Sequence, residues 1–258
     1  MRPLNYFRKF RRYSPQILLF NFLLLFTCVA QALDFRVLAI QEQAQQPFLQ
    51  GLTLDRGILY MSSGRYGKSW LATVDAASNA ELNRVRLDPE VFAEGLCIVD
   101  DKLYLLSWHR GRLFIFDKHS LRQIDQRRYE GEGWGLTHDG KEFVMSDGSS
   151  SLQFRDSLSF ALIKRVEVRD QGQPVDQLNE LEWAQNAVWA NAWHTPFIYK
   201  IDPDSGKVLA KYNMQALVRV QQKNRPEAVL NGIAYDGDGS FWISGKLWDH
   251  RYRVKFNR

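Results

Sequence analysis

The chain has 258 residues, of which 45% are hydrophobic and 24% are charged, and a formal net charge of +5. This excess comes from the basic residues that open the chain, because the later Lys and Arg residues equal the Asp and Glu residues in number. The opening basic residues are Arg2, Arg8, Lys9, Arg11 and Arg12. The rest of the chain therefore offers no net basic surface for nucleic acid or an anionic membrane, and it is long enough for one domain with a sizeable core.

Residues 1–32 have the features of a secretory signal peptide. The basic residues precede the apolar run "ILLFNFLLLFTCVA", and the small-x-small cleavage site "AQA" ends at Ala32. A membrane helix is the alternative, but the run is interrupted by Asn21 and is shorter than the roughly 20 residues that span a bilayer. We expect export to the periplasm or the extracellular space, with no stable membrane association after cleavage. Cys97 is then the only cysteine of the exported domain, residues 33–258, which has no internal disulfide.

The first element after the signal is a strand over residues 35–40, "FRVLAI". Five similar segments follow, each with a short apolar strand, a turn rich in Asp, Asn or Gly, an alternating strand, a polar corner and a third strand. The segments begin at Gln50, Glu94, Trp134, Asn179 and Asn231. Their starts recur at roughly the 40–45-residue period of four-stranded propeller blades. The pattern predicts an all-β fold, a five-bladed β-propeller.

Two irregularities in the repeat predict further elements. The longest interval, before the fifth segment, contains "NMQALVRVQQ", in which Met214, Leu217 and Val218 have helical spacing, so a short helix is expected there. The fifth segment ends after three strands. A propeller closes its ring to remove sheet edges, and residues 35–40 form the one unassigned strand that can complete the last blade. We therefore predict that they pair with a strand near residues 250–256.

Equivalent residues of the five repeats should converge at one end of the central channel. One ring is formed by the residues that begin the repeats, called head residues below. The corners after the second strands contribute Ser63, Trp108, Asp147, Trp193 and Lys246. Indole rings beside a carboxylate, an ammonium and amides are typical of a pocket for a small polar group. The alternative is that Trp134 and Trp193 only pack and that Glu94 is a solvated acid at the rim. Glu94 is the only carboxylate among the head residues, so it is the one carboxylate predicted to face the channel.

Other motifs do not fit the chemistry that they suggest. "GRYGKS", residues 64–69, has too few residues between its glycines for a phosphate-binding loop. "DGDG", residues 236–239, lies at a hairpin turn and lacks the later ligands of a calcium loop. The five histidines have no zinc-ligand spacing, and the chain has no G-x-S-x-G elbow of a serine hydrolase. We expect neither a metal site nor a cofactor.

Several segments, in order along the chain, resemble the plant- and bacterial-type glutaminyl cyclases, the glutamine cyclotransferase family. They include "PFLQGL", "SSGRYGKS", "FAEGL", "EGWGLTHDG", "LNELEW", "VWANAW" and "VLNGIAYD" followed by "SGK". The resemblance covers essentially the whole exported domain. It implies a five-bladed propeller that converts the N-terminal glutamine of peptides or proteins to pyroglutamate and releases ammonia, without a catalytic zinc. Leu49 and Cys97 stand where the family often has threonine.

Carried over residue by residue, the resemblance implies a pocket made of seven residues. They are Gln50, Glu94, Trp108, Trp134, Asn179, Trp193 and Lys246. We expect the tryptophans to hold the glutaminyl side chain, the two amides to bind its carboxamide, Glu94 to move a proton and Lys246 to stabilise the oxyanion. A propeller that binds a peptide terminus or a glycan without turnover is the alternative. A propeller lactonase would need a calcium shell of acids and amides on the axis. The expected protein is a monomer.

Overall fold

The computed structural model describes residues 34–43, 45–222 and 225–257. The predicted signal peptide, residues 1–32, lies outside the described residues and stays a prediction. The described part of the chain consists almost entirely of short antiparallel strands, joined by tight turns into four-stranded sheets. These sheets are the blades of a five-bladed propeller, which confirms the predicted fold class.

The strands follow one another blade by blade along the chain. Strand β1 (Phe35–Glu42) comes first, and blade one then consists of β2 (Leu49–Asp55), β3 (Ile58–Ser63), β4 (Trp70–Asp75) and β5 (Glu81–Arg86). Blade two consists of β6 (Ala93–Val99), β7 (Lys102–Ser107), β8 (Arg112–Asp117) and β9 (Gln123–Arg128). Blade three consists of β10 (Leu136–His138), β11 (Glu142–Met145), β12 (Ser151–Asp156) and β13 (Leu162–Glu167).

A small hairpin separates blades three and four, and a helix separates blades four and five. The hairpin pairs β14 (Arg169–Asp170) with β15 (Gln173–Pro174). Blade four consists of β16 (Leu178–Ala184), β17 (Ala187–Ala192), β18 (Phe197–Ile201) and β19 (Val208–Asn213). Helix α1 (Gln215–Gln222) precedes the last strands, β20 (Leu230–Tyr235), β21 (Phe241–Gly245) and β22 (His250–Phe256). The helix confirms the sequence prediction, whereas the hairpin was not expected.

The ring closes through the first strand of the described chain. β1 is the outermost strand of blade five and pairs antiparallel with β22, from Phe35 opposite Phe256 to Glu42 opposite His250. The predicted closure is therefore confirmed. Pairing the first strand with the last removes two exposed sheet edges at once, which is the usual reason for closing a β-ring.

The hydrophobic core lies between neighbouring blades, because each sheet buries its two faces against the sheets on either side of it. A cluster of buried apolar side chains fills each of these interfaces in the described part of the chain. Representative pairs are Tyr60 with Leu103, Cys97 with Leu136, Val144 with Val188, Trp189 with Phe241, and Leu59 with Trp242. The outer strands β9 and β13 expose most of their side chains and β5 exposes half, so these strands show little alternation of apolar residues.

The turn before the outer strand is the same in four blades. An aspartate at the end of the third strand, or just after it, accepts hydrogen bonds from the backbone N–H and the hydroxyl of a serine three residues later. The pairs are Asp75 with Ser78, Asp117 with Ser120, Asp156 with Ser159, and Asp202 with Ser205. These hydrogen bonds favour the carboxylate and lower the pKa of all four aspartates. The aspartate that recurs in the sequence repeat is thus a turn residue.

Candidate active site

The head residues lie at irregularities of the innermost strands. In blade one the pairing register of β2 and β3 shifts between Leu49 and Gly51, which leaves Gln50 without a residue opposite it. The register of β6 shifts in the same way around Glu94, and that of β16 around Asn179. Such β-bulges turn a side chain out of the regular alternation of a strand and often occur next to active sites. The repeated bulge explains how these head residues come to face one cavity at the end of the channel.

Hydrogen bonds from neighbouring blades hold the backbone of the head residues. The hydroxyl of Ser62, in blade one, donates to the carbonyl oxygen of Glu94 at 2.6 Å. The hydroxyl of Ser146, just after β11 in blade three, donates to the carbonyl oxygen of Asn179 at 2.5 Å. Glu94 and Asn179 are therefore each fixed by a bulge of their own strand and by a contact from the preceding blade.

In four repeats a glycine follows the head residue, because the innermost strands approach one another closely around the axis. A Cβ atom on Gly95 would lie 2.6 Å from the Cα of Gly135, and a Cβ on Gly135 would lie 2.0 Å from the carbonyl oxygen of Asn179. Neither position has room for a side chain. The glycine of each "GL"-like pair is thus a requirement of the propeller's narrow centre.

The structure brings all seven predicted site residues to one cavity of about 340 Å³, at the low end of the range of ligand pockets. Gln50, Glu94 and Asn179 come from innermost strands, and Trp134 lies just before β10. The other three directly follow the second strands of blades two, four and five: Trp108, Trp193 and Lys246. Phe48, Arg65 and Phe92 complete the lining.

Three residues that the repeat placed in the two rings do not line this cavity as the structure describes it. The amide of Asn231 donates to the backbone carbonyls of Leu49 and Gln50, both at 3.0 Å, and so fixes blade five to blade one. Asp147 accepts hydrogen bonds from Ser149 and Gln153. Ser63 is buried in its strand. Repeat equivalence located the correct end of each blade, but it did not determine which side chains reach the cavity.

The three predicted tryptophans form walls of the cavity, together with two phenylalanines. The rings of Trp134 and Trp193 meet edge to face, with their centroids 5.6 Å apart. Trp108 packs against Phe92 at 5.3 Å. Aromatic walls of this kind exclude water and provide flat apolar contact surfaces. All three indoles are partly exposed and border the cavity, so they are not only packing residues.

Phe48 and Phe92 were missed by the sequence analysis, although a signal for them exists. Each lies two residues before a head residue, in "FLQ" and "FAE", and the shared offset predicts a common place in the fold. Arg65, also missed, lies at the rim with its guanidinium 4.6 Å from the ring centre of Phe48. No repeat position identifies Arg65, because it belongs to a corner that differs among the blades.

Glu94 and Lys246 are both almost completely buried in the cavity wall. Burial raises the pKa of Glu94 well above its ordinary value, and the charge of Lys246 opposes this effect without cancelling it. Burial also lowers the pKa of Lys246, against the opposing influence of Glu94 and Glu180. The Lys246 ammonium lies 5.3 Å from the ring centre of Phe48 and 5.4 Å from that of Trp193. The site therefore holds a carboxyl group whose neutral form is favoured, close to a cation.

The two amide side chains are buried without being used by the fold. Gln50 and Asn179 are 2% and 1% exposed. The side-chain oxygen of each has no hydrogen-bond partner among the residues that the structure describes. Buried amide oxygens without partners are costly, so such groups at a cavity wall are suited to accept hydrogen bonds from a bound molecule.

Among the described residues, Glu94 is the only carboxylate that lines the cavity, whereas Glu180 and Glu182 of β16, which the repeat did not predict, are buried against the innermost strands of other blades. Glu180 is fully buried and reaches β2 in blade one, and Glu182 accepts a hydrogen bond from the backbone N–H of Tyr235 in blade five. Burial raises the pKa of both carboxyl groups, that of Glu182 to about 8. The sequence repeat does distinguish Glu180, since this residue occupies the position of the glycine that follows the head residue in the other four segments.

Among the described residues, no group of three or more His, Cys, Asp or Glu side chains is arranged to hold a metal ion. No helix in the same part of the chain is long and apolar enough to cross a membrane.

The comparisons with known proteins agree with this geometry. The family model described as glutamine cyclotransferase matches residues 25–256, which is most of the chain. The chain belongs to the glutamine cyclotransferase family. The resemblance of the sequence motifs is thereby confirmed. Among relatives of this cyclotransferase-family protein, a glutaminyl-peptide cyclotransferase of Arabidopsis thaliana is 33% identical over 236 residues, which cover 88% of this chain and 74% of the plant protein.

A solved structure of the same family has the same fold. The crystal structure of the Myxococcus xanthus glutaminyl cyclase matches this cyclotransferase-family propeller with a TM-score of 0.81 and 35% sequence identity. The match covers 86% of this chain and 96% of the Myxococcus chain. The similarity therefore extends through nearly the whole propeller.

Proposed function

We propose that the protein is a glutaminyl-peptide cyclotransferase, which converts the N-terminal glutamine of peptides or proteins to pyroglutamate and releases ammonia. The observation that carries this proposal is that buried Glu94 and buried Lys246 line the same tryptophan-walled cavity, within a propeller of the glutamine cyclotransferase family. The names of the Arabidopsis and Myxococcus relatives support the same reaction.

The reaction needs correct positioning and the movement of one proton. The α-amine nitrogen of the substrate attacks the carbon of its own γ-carboxamide, a carbon–nitrogen bond forms, and the bond to the amide nitrogen breaks. The attacking nitrogen loses one proton and the leaving nitrogen gains one. No oxidant, reductant or second substrate enters this balance, and in the proposed mechanism the cavity's own side chains carry out the proton transfer and the charge stabilisation. An intramolecular attack is accelerated by holding the side chain in the cyclic conformation.

Glu94 is the group proposed to move the proton. As a carboxylate it takes the proton from the attacking nitrogen, and as a carboxylic acid it gives the proton to the leaving nitrogen. Its raised pKa favours the second step, because burial makes the neutral acid accessible at a pH where an ordinary glutamate is charged. This is the same device by which other enzymes use a buried carboxyl group as a general acid.

Lys246 and the tryptophans have complementary proposed roles. The ammonium of Lys246 borders the cavity, where a cation stabilises the negative charge that develops on the carboxamide oxygen. Trp108, Trp134 and Trp193 provide flat walls for the glutaminyl side chain, and the free amide oxygens of Gln50 and Asn179 accept hydrogen bonds from its carboxamide N–H groups. The walls also exclude water, which strengthens these interactions.

The proposal also covers the cellular location and the oligomeric state of the enzyme. The features of residues 1–32 support export, and the enzyme then acts in the periplasm or outside the cell as an aminoacyltransferase on peptides and proteins. The single cysteine of the propeller, Cys97, is buried and free. We propose a monomer whose active site lies entirely within one chain, since the described residues already complete the cavity wall.

Mass spectrometry of a Gln-initiated peptide incubated with the purified protein tests the proposed function. We expect loss of one ammonia from the peptide at a rate well above the spontaneous one, and the same rate in the presence of EDTA. An N-acetylated copy of the peptide is the control, because its nitrogen is no longer a nucleophile and it should remain intact. Binding of the free peptide without ammonia release would overturn the proposal and favour a propeller that only binds peptide termini.

A further inference from the structure

One carboxylate outside the predicted site contacts two of the tryptophan walls. Glu132 lies in the loop between β9 and β10, and its Oε2 atom accepts a hydrogen bond from the indole N–H of Trp108 at 2.9 Å and from that of Trp134 at 3.0 Å. Trp108 belongs to blade two, whereas Trp134 lies just before the first strand of blade three. A single oxygen atom therefore fixes the orientation of two indoles that arrive from different blades.

The loop that carries Glu132 is itself attached to this wall. The backbone N–H of Gly133 donates to the carbonyl oxygen of Trp108, and that of Trp134 donates to the carbonyl oxygen of Ser146. A Cβ atom on Gly133 would lie 2.2 Å from the hydroxyl of Tyr129, so the loop packs tightly against its surroundings. The carboxylate is thus presented by a fixed backbone.

Other tryptophans of the propeller pack without a hydrogen bond to a carboxylate. The indole nitrogens of Trp242 and Trp248 are buried and have no hydrogen-bond partner in the part of the chain that is described. Trp189 uses a backbone carbonyl, that of Ala184. The carboxylate contact is shown for Trp108 and Trp134, two tryptophans that line the cavity. Hydrogen bonds to a carboxylate are stronger and more directional than those to neutral acceptors, so they suit a wall that must keep one orientation.

We propose that Glu132 is the positioning residue of the tryptophan cage, holding the indoles of Trp108 and Trp134 in the orientation that binds the glutaminyl side chain. This proposal rests on the proposed function for the identity of the bound group. Glu132 does not line the cavity and acts through the two indoles. His109 supports the arrangement, since its ring stacks on Trp108 at 4.0 Å and its Nδ1 atom lies 3.5 Å from Oε1 of Glu132.

The charge of Glu132 has a second consequence for the same site. It contributes to the raised pKa of Glu94, together with burial and against Lys246. The other titratable groups that interact with Glu94 are Glu180 and Tyr129. The two effects of Glu132 are separable, because glutamine retains an acceptor oxygen for the indoles but removes the charge, whereas alanine removes both.

Three variants test the proposal: Glu132→Ala, Glu132→Gln and the control Glu130→Ala. Glu130 is exposed, lies in the same loop and makes no hydrogen bond or ion pair with the residues described. We expect Glu132→Ala to raise KM for a Gln-peptide by about tenfold or more, with a smaller change in kcat. In Glu132→Gln, KM should return most of the way to the wild-type value. The acidic limb of the kcat/KM profile should move to lower pH, because the charge of Glu132 no longer raises the pKa of Glu94. The control should behave as the wild type.

A readout that does not depend on turnover keeps the test independent of the proposed reaction. In a proton–nitrogen correlation spectrum of the folded protein, Glu132→Ala should shift two indole N–H resonances, identified by Trp108→Phe and Trp134→Phe, and Glu130→Ala should shift neither. Unchanged indole resonances, or an unchanged KM in Glu132→Ala, would overturn the positioning role. If the resonances shift but the wild-type protein releases no ammonia, the hydrogen bonds of Glu132 to the two indoles are supported and the proposed function is rejected.

Discussion

Glu180 accepts a hydrogen bond from the backbone N–H of Leu52 at 2.7 Å, and the two residues belong to blades that are not neighbours in the ring. The contact joins blade four to blade one across the propeller axis. The other carboxyl oxygen of Glu180 is buried without a hydrogen-bond partner among the described residues. Glu180 thus occupies the space that the glycines of the other four repeats leave around the axis.

Replacing Glu180 by glycine should destabilise the propeller, although glycine is the residue of the other repeats. The change leaves the N–H of Leu52 without its acceptor and opens a void on the axis, so we expect a loss of roughly 3 kcal/mol in the free energy of unfolding. Glu180→Gln keeps an acceptor of nearly the same shape and should cost about 1 kcal/mol or less. Urea denaturation measures both, and equal stability of the two variants would contradict the axial role.

Removing the titrating proton of Glu94 should abolish most of the activity and spare binding. Glu94→Gln keeps the shape and part of the hydrogen bonding, so kcat on a Gln-peptide should fall by roughly 10²–10⁴-fold with KM little changed. The matched control is Glu90→Gln, since Glu90 is an exposed acid just before the same strand and pairs with Arg110. Near-normal turnover in Glu94→Gln would mean that the proton moves by another route.

The stability of the fold should depend on the ionisation of Glu182. Its pKa is raised from 4.5 to about 8 by burial, so the neutral form is favoured in the folded state. The resulting stabilisation is complete below pH 4.5 and is lost as the pH rises through about 8. One such group changes the free energy of unfolding by at most about 1.4 kcal/mol per pH unit.

Glu182→Gln removes this dependence, because its amide is neutral at every pH. Relative to the wild type, the variant should gain stability steadily between pH 5 and pH 8, as measured by thermal unfolding at several pH values. The hydrogen bond from the Tyr235 N–H is retained by the amide oxygen. Parallel stability curves for the two proteins would show that Glu182 titrates alike in the folded and unfolded states.

Closure of the ring should depend on the buried residue of the first strand. Phe35 is 2% exposed and packs in the cluster that contains Trp189 and Phe256, so Phe35→Ala should cost about 3–5 kcal/mol. Ile40 lies on the same strand, is 59% exposed and serves as the control, with little expected effect on replacement by alanine. Similar denaturation midpoints for both variants would argue against closure through β1 as a source of stability.

The sequence alone was sufficient for the five-bladed architecture and for seven of the ten residues that line the cavity. The blade period and the turn aspartates are local features, and each is imposed by the chain's own geometry at short range. The closing strand followed from counting strands in the fifth repeat, and the helix followed from the spacing of Leu217 and Val218. The family resemblance then selected seven of the ring positions, and the structure brings those seven to one cavity.

Only the tertiary structure decided how these side chains interact. Whether Glu94 is stabilised as an acid or as a carboxylate depends on the balance between burial and the charge of Lys246, which belongs to a distant part of the sequence. Glu132 reaches two indoles, and Glu180 crosses the axis, through contacts that no repeat period encodes. The physical reason is the distance along the sequence over which the interactions act. Turns and strands are determined by neighbouring residues, whereas the burial, charge and orientation of the side chains at this site depend on residues from all five blades.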